Sequence, residues 1–203
     1  MNKNEIKEFL QSFSDFQSRT LVIVDFANVE KWKESTGWKI GIQELAKLVK
    51  YFTIGNKSLR RFYYGSDYGK NENSNYMGNW SYNILTRAQS NGFEIVTKRV
   101  KYIHDKRFEG GFDKKCDLDV EMALDIMRMK ECYDKLVIFS GDGDLACIMK
   151  YIFNEFKKEI CVCSARNHIG REIIDGYKEG FIEKLIYIDD FEYRLNMDRF
   201  KYK

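Results

Sequence analysis

Leu136-Val137-Ile138-Phe139-Ser140-Gly141-Asp142-Gly143-Asp144-Leu145 is the stretch that decides the fold. An apolar run of four, free of Pro and followed by a helical period over Ala146 to Lys157, reads as a buried parallel strand leading into a helix. Its carboxyl end delivers Asp142 and Asp144 to a strand-to-helix turn, and open α/β sheets bind ligands in crevices at such ends. The same grammar occurs near the amino end, where Leu21-Val22-Ile23-Val24 runs straight into Asp25-Phe26-Ala27-Asn28.

Outward from these two strands the chain alternates strand and helix. Ile6, Phe9, Leu10 and Phe13 stand at helical spacing and predict an amphipathic helix over about 3–14. A strand at 21–25, a helix over 41–53 and a strand at 58–64 follow, then a Gly- and Asn-rich loop at 65–79 and a helix over 80–91. A strand at 93–97, extending toward Ile103, leads into a basic loop at 104–114. The helix over 117–131 carries Val120, Ala123, Leu124 and Met127 at i, i+3, i+4 and i+7, the spacing of a buried stripe. Strand 136–139, helix 145–157, strand 159–163, a helix over 168–178 and a short final strand within 181–186 complete the count. This alternation predicts a three-layer α/β/α sandwich around a mostly parallel sheet. With 203 residues, 44% of them hydrophobic, the chain is read as a single domain: core at about 20–186, tail at 187–203.

No apolar run approaches the ~20 residues that span a bilayer, so a soluble, cytoplasmic protein with no membrane partner is expected. The five cysteines include no C-x-x-C pair, which predicts reduced, mostly buried thiols rather than a zinc site or disulfide framework. Net charge is only +3, but between Lys98 and Lys115 seven basic residues face three acidic ones. Tyr102, His104, Phe108 and Phe112 are interleaved with them. Cations alternating with aromatics suit a single-stranded phosphate backbone, the competing reading being a solvated loop.

Asp117 and Asp119 open the helix over 117–131, where carboxylates commonly cap the helix and complement its dipole. Taken with Asp25, Asp142 and Asp144 they gain another sense. The succession Val24-Asp25-Phe26-Ala27-Asn28, Arg61-Phe62-Tyr63-Tyr64-Gly65, Gly92-Phe93-Glu94-Ile95-Val96, Lys115-x-x-x-Asp119-Val120-x-Met122-Ala123-x-Asp125 and Ser140-Gly141-Asp142-Gly143-Asp144-Leu145 resembles the NYN domain, and more narrowly the LabA-like branch of the PIN-fold nucleases. The resemblance runs from about residue 20 to 186. It implies a PIN-like sheet of strand order 3-2-1-4-5 and a metal-dependent, RNA-cleaving site built from Asp25, Asp119, Asp142 and Asp144. Gly143 stands where that family commonly has Ser, and Leu145 where an aromatic is usual.

In such a sheet the strands ending at Asp25 and Asp142 are neighbours. Four carboxylates meeting there would raise one another's pKa values unless a cation neutralised them. A hard divalent ion, Mg²⁺ or Mn²⁺, suits oxygen donors. Asp25 and Asp142 are the expected direct ligands, with Asp119 and Asp144 acting through water. Asn28 is expected to hydrogen-bond a metal water or a phosphate, and Lys98, Lys101 and Lys115 to contact substrate. The partner expected is single-stranded RNA, with a homodimer left open. A catalytically weak RNA-binding or regulatory module is the alternative, since fold does not fix function. A Toprim-like nuclease would want Glu after the first strand, and a phospho-receiver would carry Lys where Arg166 stands. His104 and His168 lack partners at ligand spacing, Trp32, Trp38 and Trp80 read as packing, and Tyr68 is a stacking candidate. Arg166 and His168, ahead of the helix over 168–178, suggest a phosphate contact.

Overall fold

The structure, a computed structural model, describes residues 4–5, 8, 18–53, 57–71, 73–104, 107 and 111–195. Of the expected N-terminal helix only Asn4, Glu5 and Glu8 fall among these, all helical. Lys106 and Phe108 of the basic segment lie outside them.

Six parallel strands form the central sheet: β1 (Thr20–Asp25), β2 (Ser58–Tyr63), β3 (Glu94–Val96), β6 (Lys135–Phe139), β7 (Glu159–Ser164) and β8 (Lys184–Tyr187), in the order β3-β2-β1-β6-β7-β8. Counted along the chain this is the expected 3-2-1-4-5 arrangement, with the short final strand added at the edge. Both faces are covered, so Leu21–Val24 of β1 and Leu136–Phe139 of β6 are apolar without alternation. Val22 and Val24 meet Trp32, Val49, Phe52 and Phe139 on one side. Leu21 and Ile23 meet Met122, Ile126, Ile138 and Met149 on the other. Each such fully buried aliphatic side chain contributes ~1.5–3 kcal/mol.

The first of these layers holds α1 (Phe26–Lys31), α2 (Lys33–Thr36), α3 (Ile42–Phe52) and α4 (Asn79–Ser90), the second α5 (Asp119–Arg128), α6 (Ala146–Phe156) and α7 (Arg171–Glu179). The tail expected from 187 onward begins as part of the core. A 3₁₀ turn, Ile188–Phe191, and α8 (Glu192–Leu195) bury Ile188, Phe191 and Leu195.

Two expectations change. The segment read as a basic loop contains an antiparallel hairpin, β4 (Lys101–His104) against β5 (Phe112–Lys115), outside the central sheet; β3 stops at Val96 and does not reach Ile103. The hairpin is anchored by the Asp67 carboxylate, which accepts from the Tyr102 hydroxyl (2.7 Å) and from Lys114 Nζ (2.8 Å). The second change is in α5, where Val120 is 66% and Leu124 45% exposed while Met122 and Ile126 are buried. The helix is turned so that Asp125 accepts from the Tyr63 hydroxyl (2.7 Å) and Glu121 from Lys98 Nζ (2.8 Å). Those ties to distant residues select one of two apolar stripes available on the same helix.

Candidate acidic active site

Parallel register brings the first two acidic positions together. Val24 pairs with Phe139, so the next residues, Asp25 and Ser140, leave neighbouring strand ends side by side. The buried Ser140 hydroxyl donates to Asp25 Oδ2 (3.1 Å) and accepts from the backbone N–H of Asp142 (3.1 Å). One hydroxyl therefore fixes both carboxylate-bearing turns. Asp25 Oδ1 caps α1 by accepting from the Asn28 N–H (3.2 Å), and Asp142 Oδ1 accepts from the Asp144 N–H (3.0 Å).

The turn itself is held from behind. Gly141 donates to Asn28 Oδ1 (3.1 Å) and its carbonyl accepts from the Gly170 N–H (2.7 Å). A Cβ on Gly141 would stand 1.7 Å from the His168 carbonyl oxygen, so no larger residue fits without moving backbone.

Asp119 arrives from the helix side. Asp117 Oδ1 accepts from the Asp119 N–H (3.2 Å), so Asp117 performs the capping that sequence offered to Asp119 and leaves the Asp119 carboxylate for the crevice. Asp25, Asp117, Asp119, Asp142 and Asp144 line one cavity of about 330 Å³ together with Asn28, Lys31, Lys114 and Lys115. Burial first, then the Asp117 hydrogen bond and charge and the charges of Asp142 and Asp25, push the Asp119 carboxyl up to about 7. Burial also raises Asp25, against the hydrogen bonds of Asn28 and Ser140 that pull it down. Asp117 itself is lowered, chiefly by its hydrogen bond with Asp119.

Four expected site residues, Asp25, Asp119, Asp142 and Asp144, are thus brought together. Lys115 joins them, while Lys101 lies in a second cavity of about 710 Å³ with Lys70, Arg99, Tyr102 and Phe112. Lys98 borders that second cavity but is engaged elsewhere, donating to the Asp117 carbonyl (2.7 Å) and to Glu121, which makes it a brace for the start of α5. Asn28 is likewise occupied. Its Oδ1 accepts from Trp32 Nε1 (2.8 Å) as well as Gly141, so it ties α1 to the acidic turn and presents only its amide nitrogen to a ligand.

Arg166, read as standing ahead of a phosphate-binding helix start, has protein partners of its own. Its N–H and guanidinium donate to Asp189 (2.9 Å) and Asp190 (2.8 Å), and the guanidinium lies over Tyr187. His168 faces Glu34 at 3.6 Å, away from the acidic cavity. Trp32 and Trp38 are core, as read, but Trp80 is 60% exposed with Lys39 over its ring. Cys161 and Cys163 are buried, whereas Cys132 and Cys147 are exposed. Sequence reasoning missed Lys31, Lys114 and the linking role of Ser140. Only Ser140 carried a signal, its place immediately before Gly141-Asp142.

Among the described residues no group of three or more Asp, Glu, His or Cys could hold a metal ion as it stands. The donor chemistry still fits a hard divalent ion, because Mg²⁺ is commonly held by one or two carboxylates with waters and substrate phosphate completing the shell.

The NYN domain family matches residues 19–184, from the start of β1 into β8. The chain belongs to the NYN domain family. The low amplitude and bright protein LabA of Synechococcus elongatus is 32% identical over 82 residues, covering 40% of this chain. The chain spans 44% of the length of that relative. A solved structure of a protein of unknown function from Vibrio parahaemolyticus superposes with a TM-score of 0.64 at 20% identity, covering 87% of this chain and 96% of that one, and shows the shared fold. The matched span contains all of the carboxylates that line the acidic cavity. No helix among the described residues is long and apolar enough to cross a membrane.

Proposed function

We propose that the chain is a cytoplasmic, Mg²⁺- or Mn²⁺-dependent ribonuclease that cleaves phosphodiester bonds in single-stranded or looped RNA. One observation carries this reading: Asp25, Asp119, Asp142 and Asp144 line a single cavity at the ends of β1 and β6, rimmed on the hairpin side by Lys114 and Lys115. Asp25 and Asp142 would hold the ion, which supplies charge neutralisation and Lewis acidity at the phosphoryl group.

The protein's own groups do the rest. Asp119, whose carboxylate lines the same cavity, can accept a proton from an attacking water. The exposed Asp144 carboxylate can orient that water. Lys31 and Lys115 offer cations to the phosphate, and Ser140 keeps Asp25 and Asp142 in fixed relative orientation without an entropic cost during turnover. The cavity holding Lys101, Arg99, Tyr102 and Phe112 extends the cationic, aromatic surface along the hairpin and suits unstacked strands better than a duplex.

A catalytically weak RNA-binding module is the second reading, favoured by the cavity of Lys101, Arg99, Tyr102 and Phe112, which can hold a strand without any reaction. A fluorescent single-stranded RNA separates the two. Cleavage that EDTA and Asp119→Asn both abolish supports the enzyme; tight binding with no metal-dependent cleavage supports the module and removes the enzyme.

A further inference from the structure

Asp119 and Asp144 line a second cavity besides the acidic one. It is an apolar groove of about 400 Å³ between α5 and α6, formed with Ala123, Met127, Leu145, Cys147, Ile148 and Tyr151. The volume lies in the range of small-ligand sites. Tyr151 is 48% exposed there, its ring set edge-on against Phe156 with centroids 6.0 Å apart, so it is braced before anything binds. Val120 and Leu124 continue the exposed apolar surface along α5. Apolar surface of this kind next to a charged centre calls for an occupant.

We propose that the groove receives one nucleobase, that of a nucleotide adjoining the phosphate at the acidic centre, with Tyr151 as its stacking surface. This rests on the ribonuclease reading. Charge selects the occupant. No Lys, Arg or His lines the groove, and two carboxylates stand at its boundary with the acidic cavity, so a phosphate is repelled while an uncharged base is not. The cations that suit phosphates, Lys114 and Lys115, line the acidic cavity instead. A strand crossing the centre would thus lay backbone along the hairpin and turn a base into the groove. A flat protein partner would bury Asp119 and Asp144 without a cation to pair them, a costly arrangement.

The test uses a twelve-nucleotide single-stranded RNA carrying 2-aminopurine at successive positions, with Ca²⁺ present and the strand verified intact on a gel. Wild type should quench the probe strongly at one position. Tyr151→Ala should abolish that quench and weaken binding about tenfold, Tyr151→Phe should keep both, and an abasic site at the same position should reproduce the Ala effect in wild type. Quenching that is uniform along the strand, or unchanged in Tyr151→Ala, overturns the proposal while leaving RNA binding intact. No binding of any RNA by wild type removes the ribonuclease reading itself and the base site with it. If Tyr151→Ala converts a dimer to a monomer in sedimentation while RNA affinity and the quench pattern stay as in wild type, the groove is a self-association face and the proposal fails.

Discussion

Replacing Ser140 by Ala removes two interactions with one oxygen. The hydroxyl donates to the Asp25 carboxylate and accepts from the Asp142 N–H, each at 3.1 Å. A hydrogen bond to a charged group is worth ~1.5–3 kcal/mol, and the lower end applies because the Asp25 carboxylate keeps a second hydrogen bond, from the Asn28 N–H. Leaving the Asp142 N–H without its acceptor adds about 1 kcal/mol. The expected loss is therefore ~2.5 kcal/mol, or roughly 5–10 °C in Tm for a domain of this size. Urea unfolding at pH 7 in EDTA measures it, with the slope m unchanged. In an Asp25→Ala background the same substitution should cost only the Asp142 share, about 1 kcal/mol, so the cycle should show a coupling of ~1.5 kcal/mol. A loss below about 0.5 kcal/mol, or the full loss persisting without Asp25, would refute the idea that this hydroxyl joins the two acidic turns.

The Gly141→Ala variant should lose more than ~3 kcal/mol or fail to fold, because its Cβ meets backbone at the His168 carbonyl; circular dichroism decides. In EDTA, Asp119, pushed up to about 7, holds a proton in the fold that the unfolded chain releases above about pH 4. Wild type should therefore lose stability as pH rises from about 4 toward 7, and Asp119→Asn should flatten that fall in urea midpoints. Mn²⁺ at about one hundred times its Kd should stabilise wild type by ~2.7 kcal/mol and Asp142→Asn much less; equal shifts in differential scanning would remove the metal-site argument. Neutralising Lys101 and Lys115 should reduce the salt slope of RNA binding by about 0.7 each. Lys98→Gln should instead lower stability and leave that slope unaltered, as expected of a brace on α5.

The strands that carry the site were the most readable part of the chain. Leu21 to Val24 and Leu136 to Phe139 are short and wholly apolar, as both faces of a parallel sheet demand; the first runs straight into Asp25 and the second reaches Asp142 through Ser140-Gly141. The strand order and the grouping of Asp25, Asp119, Asp142 and Asp144 came from the resemblance to the NYN domain; the residues alone left open whether Asp117 or Asp119 faces the crevice. The rotation of α5 was not legible. Val120, Ala123, Leu124 and Met127 keep helical spacing as well as Leu118, Met122 and Ile126 do, and periodicity cannot choose between them. The choice rests on Tyr63 with Asp125 and Lys98 with Glu121, partners 62 and 23 residues apart. The hairpin was hidden for a related reason: four-residue strands rich in Lys carry little β signal, and Asp67, far back in sequence, anchors them. Lys98 and Asn28 read as ligands because their residue types suit phosphate. Only their neighbours reveal that each already has protein partners.

Gly143 sits where a Cβ would fall 2.2 Å from Glu172 Oε2 and 3.4 Å from Glu172 Cβ. The acidic turn and the first turn of α7 thus occupy one space between them. Serine at position 143, common in the family this chain resembles, requires that Glu172 withdraw or be replaced by something shorter. The two positions form an exchangeable unit: across descendants of this fold, a side chain gained on the turn should be matched by one lost from the helix. Transplanting the turn alone into a relative should fail where transplanting both succeeds.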